Sequence, residues 1–287
     1  MNSSGPVLFL VSADSGCVRV DPQAPHVSVM DLGVTRGDGI FETISVVGGR
    51  PQALEAHLAR FARSARLLDL PEPDLDLFRT TVIAAIAEHD DVAELYVKTV
   101  MTRGVEGTGV PTAWVYVAEA ADFTADRTAG IRVVTLDRGL RHDVGATSPW
   151  LLQGAKTLSY AVNRAALREA ARRDADDVIF LSSDDYVLEG PTANVVLRFG
   201  DRLVTPRTDQ AILAGTTQAS IFEFASAIGF DTGYELLPAQ ALTKADALWL
   251  VSSVRQAAPV NRLDGVDRVV DAELTARMTE FLLARTE

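Results

Sequence analysis

The sequence predicts a two-domain α+β protein. Both halves mix strand and helix patterns, and antiparallel signals outweigh a regular βαβ alternation. A polar run of small residues at 119–130 separates the halves and reads as a linker. The expected division is a smaller N-terminal α/β domain at 1–118, the linker at 119–130, and a larger C-terminal domain at 131–287.

The elements follow in order. Val7-Leu8-Phe9-Leu10-Val11 is an apolar run suited to a strand. Glu42–Val47 is β-rich and ends in Gly48-Gly49, a hairpin turn signal. Pro51 opens a helix to about Leu68, and Pro71 stops it. Within it Leu54, Leu58, Phe61, Ala62, Ala65 and Leu68 recur at helical spacing. Arg60 falls across the helix from that stripe, so periodicity alone places it in solvent. A second helix covers about Leu75–Glu88. Strands near Glu94–Thr102 and Ala113–Ala118 flank a loop holding Gly104, Gly107 and Gly109. Beyond the linker, Ile131–Leu136 is a strand, a loop runs through Pro149, and a helix covers about 160–173. Asp177–Leu181 has a buried-strand pattern, and Ser182-Ser183-Asp184-Asp185 turns the chain into Tyr186-Val187-Leu188. Asn194–Phe199 and Arg202–Thr205, joined by Gly200-Asp201, read as antiparallel strands. A helix begins near Thr216 and ends at Gly229, Leu248–Val251 is a strand, and 271–285 forms a C-terminal helix. No segment repeats.

Composition narrows the function. The 287 residues are 47% apolar, with Gly and Pro near average, as in an ordinary globular protein. Lys and Arg number 27 against 39 Asp and Glu, a formal net charge of −12. Such a chain repels phosphate backbones, so nucleic acid is not an expected partner. A small anionic ligand is compatible, because local arginines and N–H groups set a pocket's field. Cys17 is the single cysteine, which rules out an intrachain disulfide and suits a cytoplasmic protein. The N-terminus lacks a basic region, so no signal peptide is expected. No apolar stretch approaches the ~20 residues of a membrane helix, so no membrane association is expected. The histidines (His26, His57, His89, His142) are scattered, and no metal site is expected.

Several residues could carry chemistry, each with a plainer alternative. Lys156 sits in Gly154-Ala155-Lys156-Thr157-Leu158-Ser159-Tyr160, with no acid beside it. Taken alone it is a surface lysine ahead of a helix; desolvated, its amine becomes a nucleophile or base. Glu189 precedes Gly190-Pro191 and is either a solvated turn acid or a carboxylate placed to hold a pyridine nitrogen protonated. Gly215-Thr216-Thr217 is either a simple N-cap or a helix N-terminus that receives a phosphate. Ser252-Ser253 is either a polar strand end or a second set of donors. Arg36 and Arg103 are loop arginines, equally suited to solvent and to a substrate carboxylate. Gly37-Asp38-Gly39 lacks the third glycine and the following helix of a dinucleotide fingerprint.

Taken together, these segments resemble the class IV aminotransferases, the fold-type IV pyridoxal phosphate enzymes. The resemblance runs from Asp31 to about Gly265. It is carried by Arg36-Gly37-Asp38-Gly39-Ile40-Phe41-Glu42-Thr43, His57-x-x-Arg60, Lys156-Thr157-Leu158-Ser159-Tyr160-Ala161-Val162-Asn163, Leu188-Glu189-Gly190-x-x-Ala193-Asn194, Leu213-Ala214-Gly215-Thr216-Thr217, and Ser252-Ser253 upstream of Pro259-Val260. Among its subfamilies the chain looks closest to the 4-amino-4-deoxychorismate lyases. The resemblance implies two α/β domains with pyridoxal 5'-phosphate in the cleft between them, and a homodimer. It implies that Lys156 bonds the cofactor aldehyde and shuttles the proton, and that Glu189 holds the ring nitrogen. Arg60, Thr216, Thr217 and Ser253 would hold the phosphate, with Asn194, Gly215 and Ser252 beside them and Tyr160 near the cofactor hydroxyl. Arg36 and Arg103 would meet an amino-bearing carboxylate substrate. D-amino-acid aminotransferases of the family carry an Arg-x-His pair in the loop after Thr102-Arg103-Gly104. Here that loop, Val105–Pro111, has neither residue.

Overall fold

The computed structural model describes residues 5–90, 92–210 and 212–285. Contacts divide the chain into two units. The first holds the stretch up to Ala121 together with Ala155–Tyr160; the second holds Asp122–Gly154 and Ala161–Ala284. Residues 155–160, expected within the second domain, therefore group with the first unit.

The first unit contains β1 (Val7–Ser12), β2 (Gly16–Val20), α1 (Leu32–Arg36), β3 (Gly39–Val47), β4 (Arg50–Pro51), α2 (Leu54–Leu67), α3 (Leu75–Ala87), β5 (Glu94–Thr102) and β6 (Thr112–Glu119). Its six strands form one antiparallel sheet in the order β2-β1-β6-β5-β3-β4. Gly48 and Gly49 both take positive φ at the β3–β4 turn, the conformation that glycine reaches without a Cβ penalty. Asp74 caps α3 by accepting from the Leu77 N–H at 3.0 Å, and Asp31 caps α1 by accepting from Gly33. The α2 stripe of Leu58, Phe61 and Ala65 is buried with Ile40, Ile44 and Val97 of the sheet, as its spacing requires.

The second unit contains α4 (Thr124–Thr128), β7 (Ile131–Asp137), α5 (Val144–Thr147), α6 (Ala161–Arg172), β8 (Asp177–Leu181), β9 (Asn194–Phe199), β10 (Arg202–Pro206), α7 (Thr216–Ala227), β11 (Asp231–Glu235), α8 (Ala241–Lys244), β12 (Ala247–Ser252), β13 (Gln256–Leu263), β14 (Val266–Asp267) and α9 (Ala272–Ala284). The stretch read as a linker thus contains a helix, α4. The sheet runs β11-β10-β9-β12-β13-β7-β8, with β14 paired to β13. It is mixed: β10–β11, β13–β7 and β7–β8 are parallel and the remaining pairs antiparallel. One apolar layer gathers Val195, Leu197, Leu248, Leu250 and Val260. The other face of the same strands gives Val196, Trp249 and Val251, packed against Ile221 of α7 and Met278 of α9. The period of two along β9 and β12 therefore feeds two cores, one on each side of the sheet.

Candidate functional site

The residues singled out by sequence form two groups, one in each unit. In the first unit, Ala155–Tyr160 lies along the start of β3. The Phe41 N–H donates to the Lys156 carbonyl at 3.1 Å, and the Leu158 N–H donates to the Gly39 carbonyl at 2.8 Å. From the other side, the Lys156 N–H donates to Ser64 Oγ on α2 at 3.1 Å. Lys156 is half-buried, and its Nζ stands 4.3 Å from the centroid of the Phe41 ring. Tyr160 meets the same ring edge-on at 5.4 Å. A lysine fixed through its backbone on two sides, with its amine against an aromatic face, is not the solvated lysine of the plainer reading.

Arg60 overturns its periodicity reading. It is 6% exposed, not solvated. His57, Arg60 and Ser64 form a second, polar stripe on α2 that faces β3. There Glu42 accepts from Arg60 Nε at Oε1 and from Nη2 at Oε2, both at 2.7 Å, and His57 Nδ1 meets Oε2 at 2.7 Å. Glu42 has no role among the sequence expectations. The signal was available: strand alternation puts it on the same face as Ile40 and Ile44, and all three are fully buried. Burial acts to raise the Glu42 carboxyl, but the charge and hydrogen bonds of Arg60, with the His57 bond, outweigh it and hold it well below the usual range. Burial pushes His57 down against the pull of Glu42, so the imidazole is neutral at pH 7 and donates from Nδ1.

The two loop arginines part ways. Arg36 ends α1 and is exposed. Arg103 donates to both oxygens of Asp38, at 2.6 and 3.2 Å, and to the carbonyls of Leu68 at 2.6 Å and Asp69 at 3.1 Å. Its fork is taken up in tying β5 to the end of α2, so the expected carboxylate role of Arg103 is not what its geometry serves.

In the second unit, Glu189 is half-buried and accepts at Oε2 from the Leu213 N–H at 3.1 Å and, at 3.4 Å, from Asn194 Nδ2. Asn194 Nδ2 also donates to the Leu213 carbonyl at 2.8 Å. Gly215, the N-cap of α7, lies against the same amide: a Cβ there would stand 1.9 Å from Asn194 Oδ1. Its φ of −77 is open to any residue, so the glycine is required for space. No side chain caps α7, whose first N–H groups have no intrahelical acceptor. Thr216 and Thr217 are buried, and Thr217 Oγ1 has no hydrogen-bond partner among the described residues. Pairing of Val251 with Asn194 brings the end of β12, with Ser252, to the start of β9. A helix N-terminus with no side-chain cap and an orphaned buried hydroxyl fit a phosphate group, while the glycine makes the room that Asn194 occupies beside them. Glu189 also lines a recess with Arg138, Arg141, Gln153, Asn163 and Gln210. Sequence reading assigned none of these five. They come from four separate segments, and no local pattern joins them.

The family model described as amino-transferase class IV matches residues 39–263. The bifunctional aminodeoxychorismate lyase / D-amino acid transaminase of Mycobacterium tuberculosis is 45% identical over 275 residues, covering 91% of this chain and 94% of that protein. A fold IV-transaminase from Curtobacterium pusillum superposes with a TM-score of 0.96 at 57% identity, covering 98% of both chains. A hypothetical aminotransferase from Mycobacterium tuberculosis, solved in its PLP-bound form, superposes with a TM-score of 0.89 at 43% identity, over 96% of this chain and 99% of that one.

Proposed function

Since the chain belongs to the class IV aminotransferases, it is a pyridoxal 5'-phosphate enzyme, and we propose that it is a 4-amino-4-deoxychorismate lyase releasing pyruvate and 4-aminobenzoate for folate synthesis. The observation that carries the cofactor assignment is the cluster of Glu189, Asn194 and Gly215 beside the open N-terminus of α7. The lyase assignment draws its support from the 45% identical relative and from the Val105–Pro111 loop, which lacks an Arg-x-His pair.

In this reading Lys156 would hold the cofactor through its aldehyde, and its amine would serve as the base that takes the proton from the amine-bearing carbon of the substrate. Bound there, the cofactor supplies an electron-poor ring that accepts the pair left by that proton. Glu189 keeps the ring nitrogen protonated, and Asn194 and the Leu213 N–H hold Glu189 in place. Gly215, Thr216, Thr217, Ser252 and Ser253 would bind the phosphate together with the guanidinium of Arg60, whose plane Glu42 and His57 fix. Tyr160 orients the cofactor hydroxyl. Arg36 remains for a substrate carboxylate. Loss of enolpyruvate leaves an aromatic ring, and that gain drives the step.

A second reading, transamination, is favoured by the 57% identical fold IV-transaminase and by the double name of the 45% relative. The first proton removal is common to both. A transaminase must then hand the amino group to a 2-keto acid; a lyase needs none. Purified holoenzyme should convert enzymatically generated 4-amino-4-deoxychorismate to pyruvate and 4-aminobenzoate in equal amounts with no keto acid added, and Lys156→Ala should not. Amino acids consumed only in the presence of a keto acid, with no pyruvate from aminodeoxychorismate, would replace the lyase by the transaminase.

The working molecule is taken to be a cytoplasmic homodimer. Val29, Met30, Val34 and Val110 expose 79, 59, 62 and 64% of their surface. They lie in neighbouring segments, since the Leu32 N–H donates to the Gly104 carbonyl and Thr112 Oγ1 to Asp31. Sedimentation at twice the 30.8 kDa chain mass is expected, and Val34→Asp should shift it toward the monomer.

A further inference from the structure

Helix α4 carries a buried arginine with no role so far. Arg127 is 7% exposed. Its Nε donates to the Arg255 carbonyl at 3.1 Å and its Nη2 to the Val254 carbonyl at 2.9 Å. Both acceptors belong to the turn between β12 and β13, directly after Ser252 and Ser253. The third carbonyl of that turn, Ser253, accepts from Gln256 Nε2 at 2.7 Å. Gln256 is fully buried and holds a left-handed φ of 64, a strained conformation for a non-glycine residue. The Arg255 side chain is anchored in turn by Asp177 at 2.5 Å, with Asp126 of α4 at 3.9 Å. The turn is therefore held through its carbonyls by side chains from α4 and β13, and through the Arg255 side chain by β8.

Fixing carbonyls fixes donors. A planar trans peptide carries its N–H opposite its carbonyl. A guanidinium that grips two successive carbonyls sets where the paired N–H groups of Arg255 and Gln256 point. Its charge at the oxygen end of each peptide also polarises the N–H end toward an anion. Solvated turn carbonyls need no such support, because water satisfies them.

We infer that Arg127 is a positioning residue for the phosphate of the cofactor, acting through the 253–255 turn without touching the ligand itself. The inference rests on the reading of Ser252 and Ser253 as phosphate donors. It separates a phosphate-specific role from a purely structural one, because pyridoxal presents the same aldehyde and ring without the phosphate.

The test titrates apoprotein with pyridoxal 5'-phosphate and with pyridoxal, following the visible absorbance of the protein-bound aldehyde. Arg127→Gln should raise the Kd for pyridoxal phosphate by about tenfold or more and leave that for pyridoxal within about twofold. Arg127→Lys, which keeps the charge but not the two-pronged grip, should fall between. Equal weakening of both aldehydes, or of neither, overturns the inference while the phosphate reading stands. If wild-type protein does not prefer pyridoxal phosphate over pyridoxal, the phosphate reading itself fails. Should Arg127→Gln not fold by circular dichroism, Arg127→Lys carries the same comparison: selective loss of the phosphorylated aldehyde supports the role, and parallel loss or none refutes it.

Discussion

Thr217 carries a hydroxyl that is buried, 2% exposed as a residue, and without a hydrogen-bond partner among the described residues. An unsatisfied buried hydroxyl costs roughly 1–3 kcal/mol. A side chain whose only task was packing would be served better by valine, which has the same shape. The functional prediction is a separation of stability from binding. Thr217→Val should leave the apoprotein as stable as wild type or more so, by up to about 1 kcal/mol in urea melts. The same change should weaken pyridoxal phosphate about tenfold in a cofactor titration. A destabilised apoprotein with unchanged cofactor affinity would assign the hydroxyl to the fold instead. Asn194 presents the opposite case, since its amide already bridges the Leu213 carbonyl and Glu189.

At the scale of elements, α7 shows how tightly the second unit constrains one position. Gly215→Ala would set a methyl 1.9 Å from Asn194 Oδ1 and 3.2 Å from Gln218 Cβ. Either the helix start or the asparagine must move, and moving the asparagine takes away one of the donors to Glu189. Overpacking of this kind costs about 1–3 kcal/mol. The variant should melt several degrees lower by calorimetry and bind cofactor more weakly; an unchanged melting temperature would mean that the helix start yields freely. This glycine was legible in sequence because it stands directly before Thr216-Thr217 at a helix start. The amphipathic spacing of α2 and the Gly48-Gly49 hairpin were legible for the same reason: local pattern matched local structure. Elsewhere the pattern misled or fell silent. Pro259 argues against a central strand, yet β13 is central; Pro259 precedes the first pairing with β7, at Val260–Ile131, and so withholds no donor on that side. Helices α1 and α4 have five residues each, too few to show a period. Arg60 and Arg127 are buried by partners 18 and about 127 residues away, which no window along the chain can see.

For the whole molecule, the Glu42–His57–Arg60 cluster sets a pH dependence of stability with a definite sign. His57 has an ordinary value of 6.5 that burial lowers in the folded state, despite the bond to Glu42. Glu42 has an ordinary value of 4.5; burial acts to raise it, but Arg60 and His57 prevail and depress it. At both sites the unfolded chain takes up a proton before the folded one does. Stability therefore rises with pH wherever that difference exists, by up to about 1.4 kcal/mol per pH unit per proton. The His57 contribution begins as pH falls below about 6.5, and the Glu42 contribution adds below about 4.5, each ending at its own depressed folded value. Other carboxylates contribute to the acid limb; Asp184, for instance, is lowered through its bonds from His142 even though desolvation opposes the shift. The wild-type profile alone cannot isolate the cluster, so the decisive comparison is with His57→Gln, which keeps an amide donor for Glu42 but cannot titrate. Melting temperatures of the two apoproteins between pH 7.5 and 5 should diverge in slope, with wild type losing stability more steeply below about pH 6.5. Parallel slopes would mean that His57 gains its proton as readily in the folded protein as in the unfolded chain. In that case Glu42 would hold a charged imidazole, and the buried cluster would carry a net positive charge next to the 155–160 segment that bears Lys156.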